Sequence, residues 1–530
     1  MKKTILILIF VSLFALWPFF KKGYFESHDG EWMVIRFSAF HQTLRAGQFP
    51  VRFVERLNNN YGYPVANFLY PLPFYLAEIP KALGIGFVAS IKTVFVVSSA
   101  LSVAAMFWAL SQKFSKMSSF AASLVYLFIP YRFVDLYIRG SLGESVAFLF
   151  LPLIFGSILK ISKDDKIFLP LLSIFTALLI LSHNVMAALF IPIFFIIAAL
   201  AAKNYIKEIT MYFLVGFAIS AFFWFPALYD LHLVKLSQTN ISSPSDHLAS
   251  FQNLISPVWS YGSTTIGASL LPVQFGVVSI LLFLAALYLQ FFKKVKNKLV
   301  GFFLILYISG AILMLKFSLP FWQINPITQL IQFPWRLLSI VVFATSIFAA
   351  YCIEYSHKKT QAAVILSIIA IISTIAYTRP FAFVDRGDSF YTTNEGTTTV
   401  RDEYMPTWVK IKPNTRADQK IVVDPSIAAI IFQEIKATNY SAKISSKEAT
   451  EVVVNSIYFP GWQVKIDGKN TPINYANPNG LITFTLPQGI HEVIIKYNRS
   501  SVHLASELAS LLALVATSIL FLNLWRKQNS

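Results

Sequence analysis

A succession of long apolar runs, separated by short polar loops, constrains the fold more than any other feature of the chain. A membrane-spanning helix needs about 20 predominantly apolar residues, and runs of about that length recur along the whole sequence. We predict a polytopic α-helical membrane protein with about 12 transmembrane helices. They are placed at residues 4–20, 88–110, 118–130, 145–159, 168–181, 185–202, 209–228, 275–292, 299–315, 337–354, 361–377 and 504–524.

Lys and Arg collect in alternate loops, and this bias sets the predicted orientation. Lys2 and Lys3 precede the first run, and the stretch 293–298 holds four lysines. Short loops rich in Lys and Arg face the cytoplasm, so we place both chain termini there, in a bacterial plasma membrane. The same pattern accounts for the net charge of +18, and nucleic-acid binding is therefore not expected. Only 13% of the residues are charged, against about 25% in soluble domains.

The apolar segment 65–83 is treated differently from the spans. It is interrupted by Pro71, Pro73 and Pro80. Counting it as a span would reverse the side of every later loop and move the lysine clusters outside. We therefore predict that it is partly embedded at the outer face, where irregular backbone is tolerated if protein covers it.

The character of the sequence changes between residues 379 and 502. Short alternating runs, typical of strands, replace the long apolar ones. They lie at 421–423, 428–432, 452–456, 464–466, 482–485 and 491–497. We expect an extracytoplasmic all-β module here, in the form of a small sandwich. It lies between a transmembrane domain at 1–378 (with a first outer loop at 21–87) and a final helix and cytoplasmic tail at 503–530. The one cysteine, Cys352, lies in an apolar run, so the module is not cross-linked by a disulfide.

The tetrad Ser27-His28-Asp29-Gly30 follows directly on the first span. An acidic residue at a membrane edge usually faces water, a partner or a substrate. The next residues, 31–47, carry apolar side chains at helical spacing and predict a helix in the interface plane. Asp29 is therefore a candidate catalytic base or, with His28, a metal ligand. The competing interpretation is that Asp29 only caps this helix.

Further polar residues fall on the predicted outer face and form a candidate substrate- or phosphate-binding set, because guanidinium and ammonium groups suit phosphate oxygens. This set comprises His28, Arg139, Glu144, His183, Lys316 and Arg336. All of them except His28 have a plainer interpretation. Arg139 and Glu144 are spaced for an ion pair at a helix start, His183 suits a tight interhelical turn, and Lys316 and Arg336 are placed as interface anchors.

Several stretches resemble a bacterial family of membrane proteins named for its relation to 6-pyruvoyl-tetrahydropterin synthase. They are Ser27-His28-Asp29-Gly30, the stretches 61–64 and 67–71, the stretch 135–144, and 402–406. Residues 458–468 and 486–491 resemble the C-terminal module of YfhO-like membrane proteins. The chain shows no histidine cluster suited to the zinc of the soluble pterin synthase. The overall arrangement is similar to GT-C-type membrane glycosyltransferases.

The GT-C resemblance implies a sugar transferase that uses a polyprenyl-phosphate-linked sugar and an acceptor glycan, lipid or protein at the outer face of the bilayer. It places the catalytic role on Asp29. The Asp-x-Asp or Glu-x-Asp form of several GT-C branches is absent, so a divalent cation (Mg²⁺ or Mn²⁺) is left open. Two other classes are also left open: a transporter or flippase of lipid-linked components, and a non-enzymatic protein that displays the β module.

Overall fold

The chain folds into a helical bundle that carries a β-sheet region near its C-terminus. The structure, a computed structural model, describes residues 2–238, 243–267, 269–324 and 331–529. The helices of ten residues or more in this part are Lys2–Ala15, Gly30–Arg45, Leu72–Ala82, Phe87–Leu110, Lys116–Leu127, Leu142–Ile161, Phe168–Ser182, Asn184–Ala201, Ile206–Ile219, Val277–Leu287, Lys298–Met314, Leu338–Glu354, Lys359–Thr374 and Ser501–Asn529.

Among the described residues, six helices are long and apolar enough to cross a membrane. Two bent pairs, Lys116–Leu127 with Pro130–Arg139 and Lys203–Ile219 with Ala221–Leu233, raise this number to eight if each pair is one span. The predicted spans at 168–181, 275–292 and 299–315 correspond to shorter apolar helices. The polytopic helical class is thus confirmed, whereas the number of 12 spans stays a prediction.

Apolar side chains on all sides allow the central helices to be buried on all sides. Helix Leu142–Ile161 packs between Phe87–Leu110 and Phe168–Ser182. Phe343 lies at the centre of the bundle, with its ring 5.6 Å from those of Phe155 and Phe303. Interiors are close-packed, and this core fixes the ends of the helices that carry the polar residues described below.

The first loop is folded tightly rather than extended. Segment 65–83 forms two helices, Val65–Phe68 and Leu72–Ala82, which are too short to span a membrane. Helix Gly30–Arg45 was expected to lie with one face in the interface. Most of it is buried within the protein, including Val34, Phe37 and Ser38, whereas Trp32 is 42% exposed. The reason is that later parts of the chain cover it: Ser38 Oγ donates to the Tyr391 carbonyl at 2.8 Å.

Ten strands are present in the described residues. They are β1 Tyr24–Phe25, β2 Phe383–Val384, β3 Ile421–Val422, β4 Ala428–Lys436, β5 Asn439–Ser446, β6 Thr450–Ile457, β7 Trp462–Ile466, β8 Lys469–Thr471, β9 Leu481–Leu486 and β10 Gly489–Tyr497. A five-stranded antiparallel sheet has the order β4-β5-β10-β7-β8, and a three-stranded one has the order β3-β6-β9. Their inner faces share one apolar core that includes Ile444, Val493, Val452 and Ile482. The six predicted strands are all present, while β1, β2, β5 and β8 were not predicted.

The β region rests on the first loop. Strands β1 and β2 pair antiparallel, with Tyr24 opposite Val384. Phe53 packs against Trp462 at a ring distance of 5.5 Å. Buried Glu55 accepts a hydrogen bond from Tyr440 at 2.7 Å and pairs with Lys420 at 3.0 Å. The module and the loop that carries Asp29 therefore form one packed unit.

Candidate functional site

The tetrad is held in place by the main chain of a distant segment. The amide of His28 donates to the carbonyl of Ile138 at 2.9 Å, and the amide of Asp29 donates to that of Arg139 at 2.8 Å. Gly140 follows with φ of +63°, a conformation that glycine adopts without strain. A Cβ at this position would lie 2.7 Å from the amide nitrogen of Gly30. The close approach of the two segments therefore needs glycine at position 140.

Asp29 precedes helix Gly30–Arg45, but its side chain does not cap it. The amide of Gly30 donates instead to Ser27 Oγ at 3.1 Å. Within the described residues the half-buried carboxylate of Asp29 makes no hydrogen bond and no ion pair. An unsatisfied, partly desolvated carboxylate is costly. The capping interpretation therefore does not account for Asp29, and the group is free to act on a ligand.

Arg139 and Glu144 form the buried ion pair that their spacing allowed. Arg139 Nη1 lies 2.5 Å from Glu144 Oε2 and 2.7 Å from Asp135 Oδ1. Tyr131 donates to the other oxygen of Glu144 at 2.6 Å. The Arg139 guanidinium also stacks over Trp335, 4.4 Å from the ring centroid. Because two carboxylates already neutralise it, Arg139 is better placed to support the loop than to bind a phosphate.

Two other guanidinium groups near the tetrad have no carboxylate partner among the described residues. Arg36 Nε donates to Thr398 Oγ1 at 2.8 Å, and a second nitrogen donates to the Thr398 carbonyl. Arg336 donates to the carbonyl of Ile331 at 2.8 Å and to Gln332 Oε1 at 3.1 Å, while its buried Nε makes no hydrogen bond. No carboxylate among the described residues neutralises Arg36 or Arg336, so their positive charges are available to an anionic ligand.

Two buried tyrosines, Tyr70 and Tyr404, lie close enough to these charged groups to be affected by them electrostatically. Asp29, Arg36 and Arg336 all act electrostatically on the phenol of Tyr70, and Arg36 and Arg336 both act on that of Tyr404. Burial raises the pKa of Tyr404 to about 12, and it also raises that of Tyr70. Both phenols therefore stay protonated at neutral pH and can donate a hydrogen bond. We define the acid–arginine site as Asp29, Arg36, Tyr70, Arg336 and Tyr404.

The remaining predicted residues fall in different places. His183 is buried at the turn between two helices, where its Nδ1 accepts from the amide of Met186 at 3.2 Å, as the plainer interpretation predicted. Its ring lies 5.1 Å from that of Tyr70. His28 Nε2 faces the carbonyl of Tyr261 at 3.4 Å. Lys316 is exposed, and its main-chain amide donates to the carbonyl of Ala249 at 3.1 Å. Burial lowers the pKa of both histidines, to about 3 for His183.

The described residues contain no group of three or more His, Cys, Asp or Glu side chains that could hold a metal ion. Asp29 and His28 alone do not make a typical site for a divalent cation, which takes several oxygen ligands. Mg²⁺ can also be held by one or two carboxylates together with waters and substrate phosphates. A divalent cation therefore stays an open expectation, and we derive no step through a metal.

Sequence reasoning missed three members of the site: Arg36, Tyr70 and Tyr404. Arg36 lies in the helical stretch 31–47, where the local pattern assigned it no role. Tyr70 and Tyr404 lie within stretches that carried the family resemblance, 67–71 and 402–406. Tyrosine is common at membrane interfaces, so composition alone did not single them out.

Comparison with known proteins gives two matches. A protein of Lactococcus lactis subsp. cremoris (strain MG1363), described as an uncharacterized protein, is 25% identical over 275 residues. The alignment covers 48% of this chain and 44% of that relative, so the match spans less than half of either protein. The model of the family described as "6-pyruvoyl-tetrahydropterin synthase related domain; membrane protein" matches residues 66–382. The match includes Tyr70, Arg139 and Arg336, whereas Asp29 and Tyr404 lie outside it. The chain therefore belongs to this family of 6-pyruvoyl-tetrahydropterin synthase related membrane proteins.

Proposed function

We propose that the protein is a membrane glycosyltransferase of the GT-C type, which moves a sugar from a polyprenyl-phosphate donor to an acceptor hydroxyl. The observation that carries this proposal is the composition of the acid–arginine site. A carboxylate without a partner, Asp29, and two guanidinium groups without carboxylate partners, Arg36 and Arg336, all lie within electrostatic reach of the buried Tyr70. A general base and an anion-binding pair are the groups that a single displacement at a sugar phosphate needs.

The proposed reaction is a single displacement with inversion at the anomeric carbon. Asp29 accepts the proton of the acceptor hydroxyl as its oxygen forms a bond to the anomeric carbon. The bond between that carbon and the phosphate oxygen breaks, and polyprenyl phosphate leaves with the electron pair. Arg36 and Arg336 stabilise the leaving phosphate, and the phenols of Tyr70 and Tyr404 supply further hydrogen-bond donors. Phosphate is already a good leaving group, so the protein mainly positions and neutralises.

The buried network around Arg139 supports this reaction indirectly. The carbonyl of Arg139 orders the amide of Asp29, and Glu144 and Asp135 fix the guanidinium of Arg139. Catalytic groups work best when a rigid surrounding holds them. Arg139 and Glu144 are therefore positioning residues in this proposal.

The same proposal includes a topology. About 12 spans cross a bacterial plasma membrane, with both termini in the cytoplasm and the β module outside. The positive-inside bias of the loops supports this orientation. The acid–arginine site then lies at the outer surface, where lipid-linked sugars and envelope acceptors meet.

The decisive experiment compares the wild type with Asp29→Asn. Purified full-length protein in lipid bilayers is supplied with radiolabelled polyprenyl-phosphate sugars and a membrane extract as a source of acceptors. We expect labelled product from the wild type and at least about a hundredfold less from Asp29→Asn, as for loss of a general base. Asp418→Asn, which removes an exposed carboxylate of the β module, is the matched control and should be fully active. Equal product from Asp29→Asn would exclude the proposed mechanism.

A further inference from the structure

A cavity is lined in part by Ser27 and His28 of the tetrad. Its chemistry differs from that of the acid–arginine site. It has a volume of about 560 Å³, within the range of about 300–1,000 Å³ that small-molecule sites occupy. Trp259, Tyr261 and Phe381 form aromatic walls, and Glu26, Ser27 and His28 supply polar groups. We propose that this cavity binds the saccharide of the acceptor. This inference rests on the proposed function, because the role of acceptor for the bound sugar comes from it.

The aromatic walls suit the apolar C–H face of a sugar ring. One face of the Trp259 indole stacks on Tyr377, with ring centroids 5.0 Å apart, and its Nε1 donates to the carbonyl of Arg379 at 3.1 Å. The ring is thereby fixed before any ligand arrives, which lowers the entropic cost of binding. Phe381 packs on Tyr261 at 4.8 Å yet is 63% exposed. An exposed aromatic ring at a cavity mouth is a common feature of binding surfaces.

The polar groups indicate a ligand rich in hydroxyls rather than an anion. The Glu26 carboxylate makes no ion pair among the described residues, and no Lys or Arg lines the cavity. Burial lowers the pKa of His28, so its ring is neutral at pH 7. A carboxylate can accept hydrogen bonds from hydroxyls, and Ser27 can both donate and accept. The negative charge of Glu26 would repel a phosphate, whereas it would not repel a neutral or amino sugar.

The two sites adjoin within the tetrad. His28 lines the cavity, and the next residue, Asp29, belongs to the acid–arginine site, whose Arg36 and Arg336 have no carboxylate partner among the described residues. The acid–arginine site is suited to the phosphate of a donor, and the cavity is suited to an uncharged saccharide. A displacement reaction needs a base that can reach the acceptor, and Asp29 directly follows a residue that lines the cavity.

The test measures binding separately from transfer. Saturation-transfer NMR is recorded on full-length protein in lipid nanodiscs with three probes: N,N′-diacetylchitobiose, cellobiose and maltose. We expect at least one of them to give a saturable signal. Phe381→Ala and Glu26→Gln should each weaken that binding by about fivefold or more, as for loss of one aromatic face or one charged acceptor. Phe432→Ala, an equally exposed phenylalanine of β4, is the control and should bind as the wild type does.

The outcomes separate this inference from the proposed function. If none of the three disaccharides saturates, or if Phe381→Ala and Glu26→Gln both bind as the wild type does, the saccharide assignment is overturned. That result leaves Asp29-dependent transfer intact. A different result is that the disaccharides bind, that Phe381→Ala and Glu26→Gln weaken this binding, and that Asp29→Asn transfers as well as the wild type. In that case the cavity is a saccharide site and the transferase mechanism is the part that fails.

Discussion

The main-chain amide of Asp29 donates a hydrogen bond to the carbonyl of Arg139 at 2.8 Å, and this bond joins the first loop to the end of a buried helical segment. The side chain of the same arginine is fixed by Glu144 and Asp135. The position of the proposed base therefore depends on a buried ion-pair network that does not itself touch it.

Removing one charge from this network should destabilise the protein. Glu144→Gln keeps the shape of the side chain but leaves Arg139 with one fewer neutralising charge. Loss of one partner of a buried pair costs about 3–5 kcal/mol, and because Asp135 remains we expect a loss near the lower end. The measurement is thermal denaturation of the purified protein in detergent. Asp418→Asn serves as the control, and a melting temperature for Glu144→Gln equal to that control would contradict the assigned role.

Phosphate affinity should depend on Arg36 and Arg336. A hydrogen bond to a charged group contributes about 1.5–3 kcal/mol, so Arg36→Leu and Arg336→Leu should each weaken the binding of inorganic pyrophosphate by about 10- to 100-fold. Lysine at either position should restore only part of the affinity, because it lacks the planar fork. Titration calorimetry provides the measurement. Lys316→Leu should bind as the wild type does; if it weakened binding as strongly, Lys316 would have to be restored to the site.

The close approach at Gly140 can be tested against a glycine in open space. Both Gly140 and Gly84 have positive φ, but only at Gly140 would a Cβ meet other atoms, at the tetrad. Alanine in this backbone conformation costs about 1–2 kcal/mol at either position. We expect Gly84→Ala to show that loss alone and to keep its transfer activity. Gly140→Ala should lose more stability and most of its activity, and equal behaviour of the two variants would show that the tetrad tolerates displacement.

The pH dependence of stability should reflect the buried histidines. Burial lowers the pKa of His183 from 6.5 to about 3, so between these values the unfolded chain binds a proton that the folded protein does not. Stability therefore falls as the pH drops below 6.5. His183→Asn, which can still accept from the amide of Met186, should flatten this decline and leave stability at pH 8 nearly unchanged.

A contrasting histidine checks the sign of that effect. His491 pairs with Asp467 at 2.6 Å on the surface of the β module, which raises its pKa. The contribution of His491 to stability is present below pH 6.5 and is lost as the pH rises through its pKa in the folded protein. His491→Asn should therefore not flatten the decline of stability in acid. Unfolding by urea at a series of pH values measures both variants. An unchanged slope for His183→Asn would show that this histidine is not responsible.

The proposed topology predicts which residues can be labelled from outside the cell. After Cys352→Ala removes the native thiol, single cysteines are introduced as Lys496→Cys in β10 and Lys296→Cys in the lysine-rich loop. Both positions are exposed. A membrane-impermeant maleimide should label the first in intact cells and the second only after lysis. Labelling of Lys296→Cys in intact cells would reverse the orientation and place the acid–arginine site in the cytoplasm.

Local sequence patterns predicted the presence of helices and strands better than they predicted how these elements are oriented. The strands with strong apolar alternation were found from sequence, but β5 was missed because its buried positions include small or polar residues such as Ala442 and Ser446. The predicted span 209–228 is two helices, Ile206–Ile219 and Ala221–Tyr229, in a pair bent by 70°. Summed hydropathy reports whether a segment is apolar and does not report its direction.

The site was only partly predictable, for a similar reason. Asp29 was singled out because a charge beside an apolar span is unusual. The choice of phosphate ligands was harder, because it depends on which arginines already have carboxylate partners. Arg139 has two and Arg36 has none among the described residues, a difference that only the tertiary structure reveals. Tyr404 reaches the site from the far end of the chain, beyond any local pattern.

The pairing of β1 with β2 has a consequence for biosynthesis. Tyr24 leaves the ribosome well before its partner Val384 and the site residue Tyr404, which follow nearly all the apolar helices. Contacts between such distant residues form late in folding. A partly synthesised chain in the membrane therefore holds Asp29 without Tyr404, and the acid–arginine site is completed only when translation has passed the start of the β module.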